Sequence, residues 1–196
     1  MVVFSFVTNI LILIKVWPNI KFNKIWLLIL SSIVAAPLGT YVLMVINQGT
    51  LKIMVGIIII IFALLLWKGY SLTVKNEKLA FIPVGFTSGL LNGSVSLMGP
   101  PVVLFLTNQG EDKATFRANL TAYAFVLNIV TIVSFFMGDL INDEVITYLL
   151  WFSPALFVGT FLGMKIAGSV EQQLFKKITL GLIIVSGISA IISSIT

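Results

Sequence analysis

The chain contains no cysteine and no histidine among its 196 residues. That excludes disulfides, thiolate nucleophiles and imidazole bases, and removes nearly every transition-metal ligand set. No cofactor and no metal centre are expected. Charge is almost as scarce: 10% of residues are Asp, Glu, Lys or Arg, against about 25% in ordinary soluble domains. The seven acids, Glu77, Glu111, Asp112, Asp139, Asp143, Glu144 and Glu171, all fall between apolar runs. A hydrolase would therefore lack a base at membrane depth. A lipid-cleaving enzyme would have to use Ser94 or Ser96 with no His, Lys or acid nearby, so the chain is read as a non-enzyme. Proton relays through membranes usually need a carboxylate or His inside a span, and none is available. A secretory leader is not indicated, because residues 1–14 lack a basic start and a small-residue cleavage site.

What the chain does have is apolar length. It is 59% hydrophobic with a mean hydropathy of +1.12, and near-spanning runs recur throughout. They cover 2–14, 25–46, 51–67, 79–107, 115–137, 145–164 and 174–195. The first, as a helix, is only about 20 Å long, too short for a ~30 Å hydrocarbon core unless residues precede it. The expected fold is an all-α integral membrane protein with six spans and one interrupted segment, 79–107. The bilayer is one partner. Nucleic acid is not, since the basic residues are scattered between apolar runs rather than gathered in a patch.

The halves resemble each other. FVTNIL at 6–11 matches FVLNIV at 125–130, and LGTYVLMVI at 38–46 matches VGTFLGMKI at 158–166. Asn9 pairs with Asn128, Gly39 with Gly159 and Thr40 with Thr160 at offsets of 119 to 120. The chain thus divides into a first repeat, 1–78, with three spans, and a second, 79–196, with the interrupted segment and three spans. At this offset the interrupted segment's counterpart falls before Met1. An N-terminal hairpin from another chain, or a homo-oligomer, is therefore an open expectation for a partner.

Loop charge sets direction. Lys15, Lys21 and Lys24 follow the first run, Lys68, Lys75 and Lys78 the third, and Lys165, Lys176 and Lys177 the sixth, whereas Asp139, Asp143 and Glu144 occupy a loop with no basic residue. Basic loops stay cytoplasmic. All of these clusters obey that rule only if 79–107 enters from the cytoplasm and returns to it. The segment then reads as a re-entrant hairpin of two arms of roughly a dozen residues, about 18 Å each, and the two repeats run in opposite directions, as in secondary transporters. The alternative is a Pro/Gly kink in an ordinary packed helix.

The hairpin carries LLNGSVSLMGPPVVLF at 90–105. Backbone departs from a helix inside a bilayer only where protein or a water-filled cavity satisfies it. Gly93 suits a left-handed cap on the first arm. Ser96 or Gly99 suits the cap of the second, with Pro100 at its first position and Pro101 in the same turn. The prolines lack N–H, so Gly99 and Val102 are the expected donors. Those donors and the positive end of the helix dipole suit a small anion. Asn92, Ser94 and Ser96 add neutral donors. Asn128 is a candidate for lining the path, with interhelical bonding an equal explanation. Arg117 would draw anions to the mouth, or serve as a topology anchor.

The stretch GFTSGLLNGSVSLMGPPVVLFLTNQGEDKATFRANLTAY, 85–123, resembles the second-half signature of the sulfite exporter TauE/SafE family, with Gly89, Gly93, Gly99, Pro100, Pro101 and Arg117 on its pattern. IKFNKIWLLILSSIVAAPLGTYVL, 20–43, is similar to the family's first-half loop and span. The resemblance covers nearly the whole chain and the last three-quarters or so of a typical member, so the chain reads as N-terminally truncated. Ser96 and Met98 stand where members commonly have Gly. The family implies a cell-membrane, multi-pass permease for sulfite or organosulfonates. The rival reading is a non-transporting fragment or structural subunit completed by a hairpin-bearing chain.

Overall fold

In the computed structural model, residues 1–67, 77–109 and 112–169 are described. Their regular elements are all helices. In chain order these are α1 (Val2–Val16), α2 (Phe22–Val45), α3 (Gln48–Trp67), α4 (Glu77–Val95), α5 (Gly99–Asn108), α6 (Lys113–Met137) and α7 (Asp143–Ser169). The apolar run at 174–195, and Lys68, Lys75, Glu111, Glu171, Lys176 and Lys177, lie outside the described residues.

Among the described residues, four stretches are long and apolar enough to cross a membrane: Val2–Asn19, Phe22–Val45, Lys113–Met137 and Asp143–Gly163. The first differs from the expectation of a span that is too short. A 3-10 turn at Trp17–Asn19 with a proline in its opening positions continues α1, which brings the stretch to 18 residues. Pro37 and Pro154 lie inside α2 and α7.

The chain forms two compact units. One holds α1, α2, α4, α5 and α6; the other holds α3 and α7. In the second unit, Asn142 starts α7 by accepting the Val145 amide at 2.9 Å. In the first, the core gathers Ile25, Leu28 and Ala36 of α2, Phe81 of α4, Val102, Phe105 and Leu106 of α5, and Ala122, Tyr123 and Leu127 of α6.

Helix directions in the first unit follow from a few contacts. The Lys21 amide, at the head of α2, donates to Asn119 near the head of α6 at 2.8 Å. At the far end, a Cβ on Gly138 would lie 3.2 Å from the Met44 sulfur. So α2 and α6 run in parallel. Gly85, Gly89 and Gly93 of α4 lie against the carbonyls of Leu28, Ser32 and Ala36 of α2 in the same order, so α4 is parallel to both. The tail of α1 leads into the head of α2 while its Ser5 meets Asn128 far along α6, which makes α1 antiparallel to α6. These directions match the arrangement in which 79–107 enters and returns. A single crossing there would have reversed α6.

The α2–α4 contact explains the glycines. A Cβ on Gly89 would lie 2.6 Å from the Ser32 carbonyl oxygen, and one on Gly39 would lie 3.0 Å from the Leu90 carbonyl carbon while overlapping its oxygen. Lipid offers apolar surface as readily as a neighbouring helix does, so association in a bilayer rests on close backbone approach, which small residues at four-residue spacing provide.

Candidate functional site

The hairpin is built as a helix, a three-residue break and a shorter helix. Phe105 stacks edge-on to Phe81 with ring centroids 4.9 Å apart, and the Ser88 hydroxyl donates to the Met98 carbonyl at 2.6 Å. Both pairs join residues equally far on either side of position 93, so α5 folds straight back along α4. Unlike two arms of a dozen residues, the arms are unequal, 19 and 10 residues.

The turn also differs from the expected one. Gly93 is inside α4, and a Cβ there would overlap the Ala36 carbonyl and lie 2.9 Å from the Thr40 nitrogen. Its role is close packing. The left-handed residue is Ser96, at φ 59°. Its amide donates to the Asn92 carbonyl at 2.9 Å and the Leu97 amide to the Leu91 carbonyl at 3.3 Å, a nested pair that closes the end of α4. Sequence alone favours a glycine for a left-handed position, so the local hydrogen bonds and the packing of α4 decide the turn.

Met98 caps α5, which opens at Gly99 with prolines in its first turn. The cap carbonyl ordinarily accepts the amide four residues on, which is Val102, and Val102 is fully buried in the core. That leaves Gly99 as the first-turn donor. A Cβ on Gly99 would meet nothing within 4 Å, so the start of α5 is open at that residue.

The other expected residues separate into groups. Asn92, 1% exposed, donates to the Thr131 hydroxyl of α6 at 2.8 Å. The Ser94 hydroxyl turns back on its own helix, donating to the Leu90 carbonyl at 2.8 Å. Asn128 donates to the Ser5 hydroxyl of α1 at 3.0 Å, and Asn9 reaches the same hydroxyl at 3.4 Å. Arg117 is exposed and precedes Thr131 by almost four turns of α6, about 21 Å, so it is not brought to the hairpin turn. Its carbonyl accepts the Thr121 hydroxyl at 2.7 Å.

One buried polar atom in this layer, the Asn128 amide oxygen, has no partner. Tyr123 was not among the sequence candidates, and a hydroxyl inside an apolar span was the available signal. Its hydroxyl lies against those of Ser32 and Ser88, which donate their own protons to the carbonyls of Ile29 at 2.9 Å and Met98 at 2.6 Å and can accept the phenol proton through their oxygens. A separate hollow of about 570 Å³ is lined by Phe6, Ile10, Leu13, Ile14, Trp17, Pro18 and Phe125. It takes nothing from α4 or α5, and none of these lining residues is charged.

The sulfite exporter TauE/SafE family model matches residues 1–190. The chain belongs to this family. No curated protein and no solved structure matches the chain. Membership makes this TauE/SafE chain one of a family of membrane transporters of the sulfite exporter type, in keeping with the four apolar span-length helices among the described residues.

Two of the residue pairs that match between the halves of this TauE/SafE chain come together. Phe6 and Phe125 stack with centroids 5.3 Å apart and planes 20° from parallel, and their companions Asn9 and Asn128 converge on Ser5. Gly39 presses on Leu90, whereas a Cβ on its counterpart Gly159 would meet nothing within 4 Å.

Proposed function

We propose that the protein is a multi-pass permease of the cell membrane that moves a small anion of the sulfite or organosulfonate kind, bound where α4 breaks and α5 begins. The observation that carries this reading is the hairpin. A ten-residue helix, folded back along α4, opens at Gly99 with two prolines behind it and space in front. An N–H donor and a helix dipole end would then be offered to an anion without the cost of a buried counter-charge. Neutral side chains suit a substrate that must also leave.

The inverted repeat is supported by the same geometry. Equivalent residues that touch across antiparallel α1 and α6 are what a two-fold axis lying across both helices would produce. Alternating access would then be a rocking of one repeat against the other. Lys15, Lys21, Lys24, Lys78 and Lys113 gather at one end of the first unit's helices and Asp139 at the other, so the basic end would be cytoplasmic.

The test is sulfite efflux from proteoliposomes. Pro100→Ala with Pro101→Ala, and separately Ser96→Ala, should lower transport while the protein still inserts. Efflux equal to wild type in both variants would refute the site.

A further inference from the structure

Asn128 leaves one end of its amide unused. The side chain is 1% exposed. Its nitrogen donates to the Ser5 hydroxyl of α1 at 3.0 Å, while its oxygen has no partner. Buried polar groups are partnered in the great majority of cases, and an unpaired one costs its full desolvation penalty. Leucine would fill a similar space without that cost. An orphaned acceptor at this depth calls for a donor that the described residues do not supply.

The surroundings narrow the kind of donor. Asn9, which matches Asn128 between the halves, also donates to the Ser5 hydroxyl, at 3.4 Å. A hydroxyl oxygen has two lone pairs, so the two asparagines fill them. Both amide nitrogens are turned to Ser5, and the Asn128 oxygen is the acceptor left over. Thr131 stands three residues further along α6, about 4.5 Å, and accepts the Asn92 amide of the hairpin at 2.8 Å. Asn9, Asn92, Asn128 and Thr131 are all buried, so one polar layer joins α1, α6 and the end of α4. No lysine or arginine appears among the buried described residues.

We infer that the Asn128 amide oxygen is a specificity-determining acceptor on the substrate path, taking a hydrogen bond from an oxyanion that still carries a proton. The species moved is then singly charged, hydrogen sulfite rather than the sulfite dianion. This rests on the reading of the protein as a permease for such anions. The selection runs in one direction. The oxygens of a fully ionised anion are acceptors and gain nothing from another acceptor. The O–H of a hydrogen-bearing anion finds there a partner to replace the water it gave up. Charge points the same way: burying it at membrane depth is costly, and a second negative charge would meet no buried cation to offset it.

The experiment measures sulfite transport in proteoliposomes at mildly acidic pH, where hydrogen sulfite is the main species. Methanesulfonate is the competitor, since it is singly charged, has the same three oxygens and has no O–H to give. Asn128→Ala should raise the KM for sulfite about fivefold, the worth of one ordinary hydrogen bond, and leave inhibition by methanesulfonate unchanged. Ser5→Ala breaks the same contact between α1 and α6 but keeps the acceptor, so its KM should stay at the wild-type value even where its melting temperature falls. Equal rises in KM in the two variants would overturn the inference, because Asn128 would then act only by joining the helices. An unchanged KM in Asn128→Ala would overturn it as well. Should that variant fail to insert, wild type alone decides: calorimetry should show sulfite bound about fivefold more tightly than methanesulfonate, and equal affinities would overturn the inference. Absence of sulfite transport by the wild type would instead overturn the functional reading on which this one rests.

Discussion

Replacing Gly93 by alanine should part α4 from α2. The added Cβ would overlap the Ala36 carbonyl oxygen and lie 2.9 Å from the Thr40 nitrogen and 3.0 Å from the Ala36 carbon. Ordinary contact begins near 3.4 Å, and every atom met is backbone, so no side chain can swing aside. The helices must separate by roughly an ångström, and a gap of that size forfeits about half of the contact energy of the atoms it separates. Gly85 and Gly89 share the interface and would loosen with it. Overpacking of this kind costs about 1–3 kcal/mol. Gly99→Ala is the internal control: its Cβ meets nothing within 4 Å, and removing a glycine from a helical position gains up to about 1 kcal/mol through the unfolded chain. Thermal unfolding in detergent reads the difference, at about 2–4 °C per kcal/mol for a chain of this size. Gly93→Ala should melt several degrees below Gly99→Ala. If it melts at or above the control, the backbone contact between α2 and α4 is wrong.

Other expectations follow from single contacts. Ser96 holds φ 59°, so Ser96→Gly should raise stability by about 0.5–1 kcal/mol in the same assay, the relief of left-handed strain exceeding glycine's entropy cost. A double-mutant cycle on Ser5→Ala and Asn128→Ala should give a coupling of about 0.6 kcal/mol, and no more than about 1.7, the range for side-chain bonds inside bilayers. Asp112 accepts the Thr115 amide at 2.9 Å, the Thr115 hydroxyl at 2.7 Å and the Ala114 amide at 3.0 Å. Led by the Thr115 amide, these bonds hold its carboxyl below the ordinary 3.8. A lowered folded value means that the cap's contribution is full above the unfolded pKa and fades as pH falls through the folded one. Asp112→Asn should therefore differ from wild type in its pH dependence only below about pH 4, where carboxylates titrate; divergence at neutral pH would point to another group.

The hairpin was legible in the sequence because loop charge leaves marks that burial does not erase. Loop lysines and the Asp139–Glu144 loop gave direction, and the parallel run of α2, α4 and α6 agrees with it. Phe6 and Phe125, which match between the halves, are in contact, and the match itself gave no sign of that. The turn itself was not legible. A glycine that lets two backbones touch and a glycine that turns left-handed are the same letter, so Gly93 drew the role that Ser96 fills. The unequal arms were hidden too, since α4 continues upstream through polar Glu77 and Lys78, which composition assigns to a loop.

The central claim is that the start of α5 is an anion site reached from one side of the membrane at a time. The chain has no native cysteine, and Gly99 has room for a side chain, so Gly99→Cys gives a clean reporter. In right-side-out and inverted vesicles, a membrane-impermeant thiol reagent should label this cysteine from one side only, and sulfite should protect it. Labelling that sulfite leaves unchanged, or no labelling from either side, would contradict the account.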